Sequence, residues 1–184
     1  MKITESPLPG LLIIEPSVFS DERGYFYESY HFQRYQKIGI EIPFVQDNES
    51  KSVRGVIRGL HYQLNPFAQA KLVRVVQGTV YDVALDLRKG SPTFGQYYGL
   101  VIGEKDKKQL FIPRGFAHGF SVLSETAIFS YKCDNAYSRE HERAINAFDP
   151  QLAIDWQFNE HEWKVSDKDM VASLFAQAEM NFIF

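Results

Sequence analysis

The sequence predicts a mainly β chain, a barrel or two-sheet sandwich of short antiparallel strands with short peripheral helices and a C-terminal helix. Three observations predict it. Runs rich in β-branched and aromatic residues, separated by turn residues, fill most of the 184 positions, and no repeat or low-complexity tract interrupts them. Aromatic residues reach 15%, led by 15 Phe and 10 Tyr, which suits pleated faces with apolar surface left over for a partner. Helical spacing of apolar residues is confined to two stretches.

In chain order, strands are expected at LLIIEP, GYFYESY, FVQDNES, GVIRGLHYQ, KLVRVVQ, TVYDVALDL, GQYYGLVI, QLFIP, AHGFSVLS and TAIFSYKCD. A short helix is expected after Ser29, over HFQRYQKI. Gly78 lies between two long β-branched runs and reads as a tight turn, which argues that its flanking strands pair antiparallel. Such a meander can close into a barrel or sandwich. Alternation from Val80 to Leu87 puts Asp82, Ala84 and Asp86 on one face, a polar face able to wall a cavity, and Tyr81, Val83, Leu85 and Leu87 on the other. The last element is a helix from about Asp167 to Met180, entered at Ser166 as N-cap. Met170, Leu174, Phe175 and Ala178 form its core stripe.

Length and composition narrow the function. The chain is long enough for one domain, residues 1–184, with a sizeable core. Formal net charge is −3 and the charges are interspersed, so neither nucleic acid nor a membrane surface is expected as a partner. A homo-oligomer is favoured instead. Cys133 stands alone, which excludes an internal disulfide and reads as a small half-buried strand residue. The opening MKITESPLPG has no charged and apolar leader pattern, and a cytoplasmic location is expected.

The segment GVIRGLHYQ carries the first chemical signal. In the small-barrel superfamily called cupins, a first block reads Gly, five residues, His, any residue, His, a short spacer, Glu, six residues, Gly. Gly55 and His61 keep the opening interval, and Lys71 and Gly78 keep the closing one. Gln63 stands at the second His position and Lys71 at the Glu position, so no metal is expected here: an ammonium would repel a cation. The second block resembles Pro113-Arg114-Gly115-Phe116-Ala117-His118. A positive pocket with two imidazoles suits an anionic or enolate-like species.

Of the five histidines, His31, His141 and His161 lie in polar helix or loop contexts and read as solvated. His61 and His118 lie in strands inside the two blocks. Imidazole, with an ordinary pKa of about 6.5, is matched to removing and returning a proton near neutrality. It can deprotonate a sugar carbon only beside a ketone whose oxygen is held by donors, each contributing about 3 kcal/mol when well placed. Lys71 or Arg58 can supply that donor, although Lys71 also reads as a charge capping a barrel rim. Epimerisation further needs an acid on the opposite sugar face. Tyr131, close in sequence to the second block, is a candidate that position alone does not single out among 10 Tyr.

The strings DERGYFYESY, FVQDNESKS, GVIRGLHYQ, QAKLVRVVQGTVYDVALDLRKGSPTFGQ, QLFIPRGFAHGFSVLS, YKCDNAYS and SDKD, in this order, resemble the dTDP-4-dehydrorhamnose 3,5-epimerase family over nearly the whole chain. The resemblance implies a cupin-type jelly roll that needs no cofactor. It also implies a homodimer whose sites draw on both subunits, and a dTDP-sugar substrate: dTDP-4-dehydro-6-deoxy-D-glucose, converted to dTDP-4-dehydro-L-rhamnose. Its catalytic base falls on His61 and the orienting carboxylate on Asp169, which also sits where a capping box with Ser166 would place it. Lys71 falls on the enolate-stabilising position and Tyr131 on the proton donor. His118 matches a substrate-contacting histidine that Asp82 can orient. Substrate-binding positions fall on Arg23, Glu28, Gln46, Asn48, Arg58, Glu142 and Lys168, with Arg23 and Arg58 suited to the diphosphate by their planar forks.

Departures from the pattern are Ala144 and Ala147, where relatives carry glycine and a larger apolar residue. The apolar tail AEMNFIF is expected to bury against a partner subunit. Two rival readings remain open: a cupin epimerase inverting only C3 or only C5, and a non-catalytic sugar-nucleotide binding cupin.

Overall fold

A computed structural model describes residues 1–184. The strands are β1 (Lys2–Glu5), β2 (Leu12–Glu15), β3 (Val18–Asp21), β4 (Gly24–Tyr27), β5 (Gln46–Val53), β6 (Ile57–Gln63), β7 (Lys71–Gln77), β8 (Thr79–Asp86), β9 (Tyr97–Gly103), β10 (Gln109–Ile112), β11 (Phe116–Val122), β12 (Thr126–Cys133) and β13 (Glu142–Ala144). Helix is limited to α1 (Phe32–Gln36), α2 (Asp167–Met170) and two 3₁₀ turns, Glu160–Glu162 and Phe175–Gln177. Every predicted strand is present; β1, β3 and β13 are additional.

Two antiparallel sheets face each other. One runs β1-β2-β10-β7-β12-β5 and the other β13-β6-β11-β8-β9, while β3 and β4 form a separate two-stranded ribbon. This is a jelly roll, and it corrects the meander. β7 and β8 do not pair with each other: β7 lies between β10 and β12, β8 between β11 and β9. Gly78 is therefore the point where the chain crosses from one sheet to the other. Its φ of +81° lies in the left-handed region, and a Cβ there would run into the Thr126 carbonyl and the Ser124 hydroxyl.

The space between the sheets is filled by Val73, Val75, Val80, Ala84, Leu110, Phe116, Phe120 and Phe129, all buried. Burying each such valine, leucine or phenylalanine contributes about 1.5–3 kcal/mol. The outer face of the second sheet, through Val83, Leu85 and Leu87, packs under a C-terminal segment that supplies Ile145, Trp156, Phe175 and Phe182. The alternation read along β8 thus separates two cores. Its polar face divides too: Asp82, mid-strand, turns to His118, whereas Asp86 at the strand's end binds Arg88, Ser91 and Thr93.

The C-terminal helix is shorter than its apolar spacing predicts. Ser166 caps it as expected, accepting from the Asp169 amide at 3.2 Å, but α2 ends at Met170. The following backbone is committed elsewhere: Asn146 N–H donates to the Ser173 carbonyl, and Phe175 N–H donates to Asp149 Oδ2 at 2.6 Å. No helical stripe forms, and Met170 and Leu174 are exposed while Phe175 is buried. The tail is likewise anchored on its own chain. Lys89 N–H donates to the Phe182 carbonyl, Phe184 N–H to the Lys89 carbonyl, and the Phe182 side chain is buried. Ile183 and Phe184 remain exposed. Ala147 is buried beneath Trp156, whose Nε1 donates to its carbonyl at 2.7 Å. No helix is long and apolar enough to cross a membrane.

Candidate active site

β6 and β11 set the histidines side by side, with His61 and His118 as cross-strand partners. The register shifts between His118 and Phe120, and Gly59 and Gly119 fill that irregular place because a Cβ on either would meet the opposing backbone. Across the interior, β7 brings in Lys71 and β12 brings in Tyr131. Together they border a cavity of about 470 Å³. Its lining includes Gln46, Asn48, Arg58, His61, Lys71, His118, Tyr131 and Glu142.

The remaining predicted residues fall into two groups. Asp169 stands behind His61, accepting from His61 Nε2 at 2.7 Å, and Lys168 donates to Glu142 Oε2 at 2.7 Å. Arg23 and Glu28 are not at this cavity. Arg23 lies at the tip of the β3–β4 ribbon, bound to Asp21 at 2.6 Å, and Glu28 pairs with Arg34 at 3.3 Å. His31, His141 and His161 are also absent from the lining.

The electrostatics of each group follow from its surroundings. Burial works against ionised Asp169, but hydrogen bonds from His61 and Ser166 outweigh it and hold the carboxyl below its ordinary range. An ionised carboxylate only accepts, so His61 Nε2 carries a proton, and in the neutral ring Nδ1 keeps its lone pair. Asp169's side chain is spent on the imidazole, which leaves the Ser166 cap half a capping box. His118 donates from Nε2 to buried Asp82 at 2.9 Å, and its burial lowers the imidazole pKa despite that aspartate. Lys71 is lowered by burial as well, with Cys133, Asp82 and Glu142 opposing. Its ammonium lies 5.7 Å from the centre of the Tyr131 ring. Burial raises the Tyr131 phenol, which keeps it protonated at neutral pH.

The donor set does not fit a divalent cation. Gln63 uses its amide internally: Nε2 donates to the Phe67 carbonyl at 2.7 Å and Oε1 accepts from the Ser138 amide at 2.6 Å. Lys71 occupies the carboxylate position with a positive group.

Sequence reading passed over several residues of the cavity. Tyr137 donates from its hydroxyl to Glu142 Oε2 at 3.2 Å and from its amide to Gln46 Oε1 at 2.9 Å, tying the rim together. Nothing but its place in the YKCDNAYS string pointed to it. Phe120 was legible by period: it follows His118 by two residues on the same strand. Its ring stacks on Phe129 at 4.2 Å, giving the cavity an aromatic floor.

Fold and side chains define the class, a cupin-type isomerase whose pocket gathers proton-transfer groups and hydrogen-bond donors. The family model described as dTDP-4-dehydrorhamnose 3,5-epimerase matches residues 5–177. The chain belongs to the dTDP-4-dehydrorhamnose 3,5-epimerase family. It is 49% identical over 180 residues to the dTDP-4-dehydrorhamnose 3,5-epimerase of Shigella flexneri, covering 97% of this chain and 98% of that protein. The crystal structure of the Elizabethkingia anophelis enzyme of that name superposes with a TM-score of 0.92 at 52% identity, covering 96% of this chain and 97% of that one. The Legionella pneumophila dTDP-6-deoxy-D-glucose-3,5-epimerase, solved in complex with dTDP-4-keto-L-rhamnose, gives a TM-score of 0.92 at 50% identity, covering 96% and 93%.

Proposed function

We propose that the chain inverts C3 and C5 of dTDP-4-dehydro-6-deoxy-D-glucose to give dTDP-4-dehydro-L-rhamnose. The observation that carries this reading is the His61–Asp169 pair at 2.7 Å, set at a cavity that Lys71 and Tyr131 also line. His61 Nδ1 takes the proton from the carbon beside the C4 ketone, giving imidazolium and an enolate. Asp169 stabilises that imidazolium. Lys71 faces the developing oxyanion, where one well-placed donor contributes about 3 kcal/mol, while His118, its Nε2 proton on Asp82, offers Nδ1 as an acceptor to a sugar hydroxyl. Tyr131 returns a proton to the opposite face, becoming tyrosinate. Solvent at the mouth then takes the proton from His61 and restores the phenol, and the cycle repeats at the second carbon.

Arg58, Gln46, Asn48, Glu142 and Lys168 hold the nucleotide in this reading. A homodimer accounts for Arg23 and Glu28, which lie outside the cavity of their own chain. The β3–β4 ribbon that carries Arg23 pairs with no other strand, and Phe19 and Phe26 on it are 67% and 72% exposed. A second copy of the chain is the partner that would receive them. One domain and a cytoplasmic location complete the proposal; unpaired Cys133 fits a reducing compartment.

The test is turnover of dTDP-4-dehydro-6-deoxyglucose in deuterated water, coupled to a keto-rhamnose reductase and followed by NADPH consumption. Deuterium is expected at both C3 and C5 of the product. Label at one carbon alone assigns a single-site epimerase, and absence of turnover leaves a binding protein.

A further inference from the structure

The β3–β4 ribbon is a two-stranded sheet, an arrangement that is marginal in water without support from the rest of the fold. Its two faces differ. Phe19 and Phe26 are paired on one face and exposed, while Tyr25 and Tyr27 alternate onto the other. Against that second face stands Lys107, from the turn between β9 and β10. Its ammonium lies 3.8 Å from the centre of the Tyr25 ring and 6.0 Å from that of Tyr27. The residue is buried, and none of the ion pairs of the chain involves it. Aromatic faces are therefore its counter-surface.

The backbone at Lys107 strengthens this reading. Its φ is +54°, in the left-handed region that a lysine adopts at a cost and that glycine or asparagine would occupy more easily. The turn is built to hold it there, because Asp106 Oδ1 accepts from the amide of Lys108 at 3.0 Å. A cation is thus kept where a turn-favouring residue would be cheaper, and its side chain goes to the ribbon. Arg74 adds one further tie, donating to the Tyr27 hydroxyl at 3.2 Å.

We infer that Lys107 is a positioning residue for substrate binding: by stacking on Tyr25 and Tyr27 it fixes the angle at which the ribbon presents Arg23 to the nucleotide site of a second copy. The inference rests on the reading that the ribbon serves the partner's cavity. Lys107 touches no substrate, so its effect falls on binding and leaves the proton transfers alone.

The experiment compares full-length Lys107→Met, Lys107→Arg, Tyr25→Leu and Arg23→Ala. Steady-state kinetics on dTDP-4-dehydro-6-deoxyglucose are combined with hydrogen exchange at the Phe26 and Tyr27 amides. Lys107→Met and Tyr25→Leu are expected to raise KM about three- to tenfold with kcat within about twofold, and to speed exchange in the ribbon. Lys107→Arg, which keeps the cation, restores both. If Arg23→Ala raises KM while Lys107→Met leaves it unchanged, the role of Lys107 is overturned and the functional reading stands. If Lys107→Met lowers kcat and active fraction together, the residue is merely structural and the inference also falls. An unchanged KM in Arg23→Ala overturns the two-subunit site itself.

Discussion

His61 and His118 are cross-strand partners, each with Nε2 on an aspartate, yet the two pairs are built differently. His118 and Asp82 come from neighbouring strands of one sheet, and their side chains are 6% and 0% exposed. His61 draws its carboxylate from α2, 108 residues away in sequence, and its own side chain is 35% exposed. Access separates them. A base must meet a carbon-bound proton, and an imidazole backed by a carboxylate at a cavity rim can do so. A buried imidazole with lowered basicity is better suited to holding an oxygen in place, and Asp82 fixes its ring.

The largest effect expected from this contrast is on His61. His61→Asn should reduce kcat by about 10³- to 10⁴-fold while dTDP affinity, read by calorimetry, stays near that of the parent. Asp169→Asn keeps the shape but removes the charge and puts a donor beside the ring, and kcat should fall by about 10²- to 10⁴-fold as the tautomer is lost. His118→Asn should cost about tenfold, the scale of one positioning hydrogen bond. Equal losses at His61 and His118 would erase the distinction between base and positioning group.

The smallest effect lies in stability against pH, measured by urea unfolding. His118 has a folded-state pKa below its ordinary 6.5, so the unfolded chain binds more protons and stability falls as pH drops from 6.5 toward the lowered value. His118→Asn should flatten that window. Asp169 is also lowered, but as a carboxylate it contributes stability fully above 3.8 and loses it as pH falls through its folded value. Asp169→Asn should therefore flatten only the acid end. Coincident windows would contradict the separate settings of the two pairs.

Local pattern made most of this legible. The strands were readable because alternation and turn residues agree with the sheets they join, and His61, Lys71 and His118 were singled out by the intervals of the two motif blocks, which the strands bring to one cavity. Pairing was not. Gly78 has the chemistry of a hairpin turn, and only the sheet topology reveals that it links strands in opposite sheets. The 170–180 segment has helical spacing, yet tertiary hydrogen bonds to Asn146 and Asp149 outcompete a helix whose intrinsic stability is marginal at that length. The tail sequence carries no record of Lys89, whose backbone binds Phe182 and Phe184 while Ile183 and Phe184 stay exposed. Arg23 and Glu28 rest on family resemblance alone, and within one copy of the chain they lie away from the cavity, paired with Asp21 and Arg34.

The most direct measurement is solvent exchange at C3 and C5 of the bound keto-sugar, followed by NMR in deuterated water for the parent protein and His61→Asn. The parent is predicted to wash in deuterium at both carbons, and His61→Asn at neither on the same timescale. Parent-like exchange in His61→Asn would show that another group removes the proton and would contradict the assignment of the base.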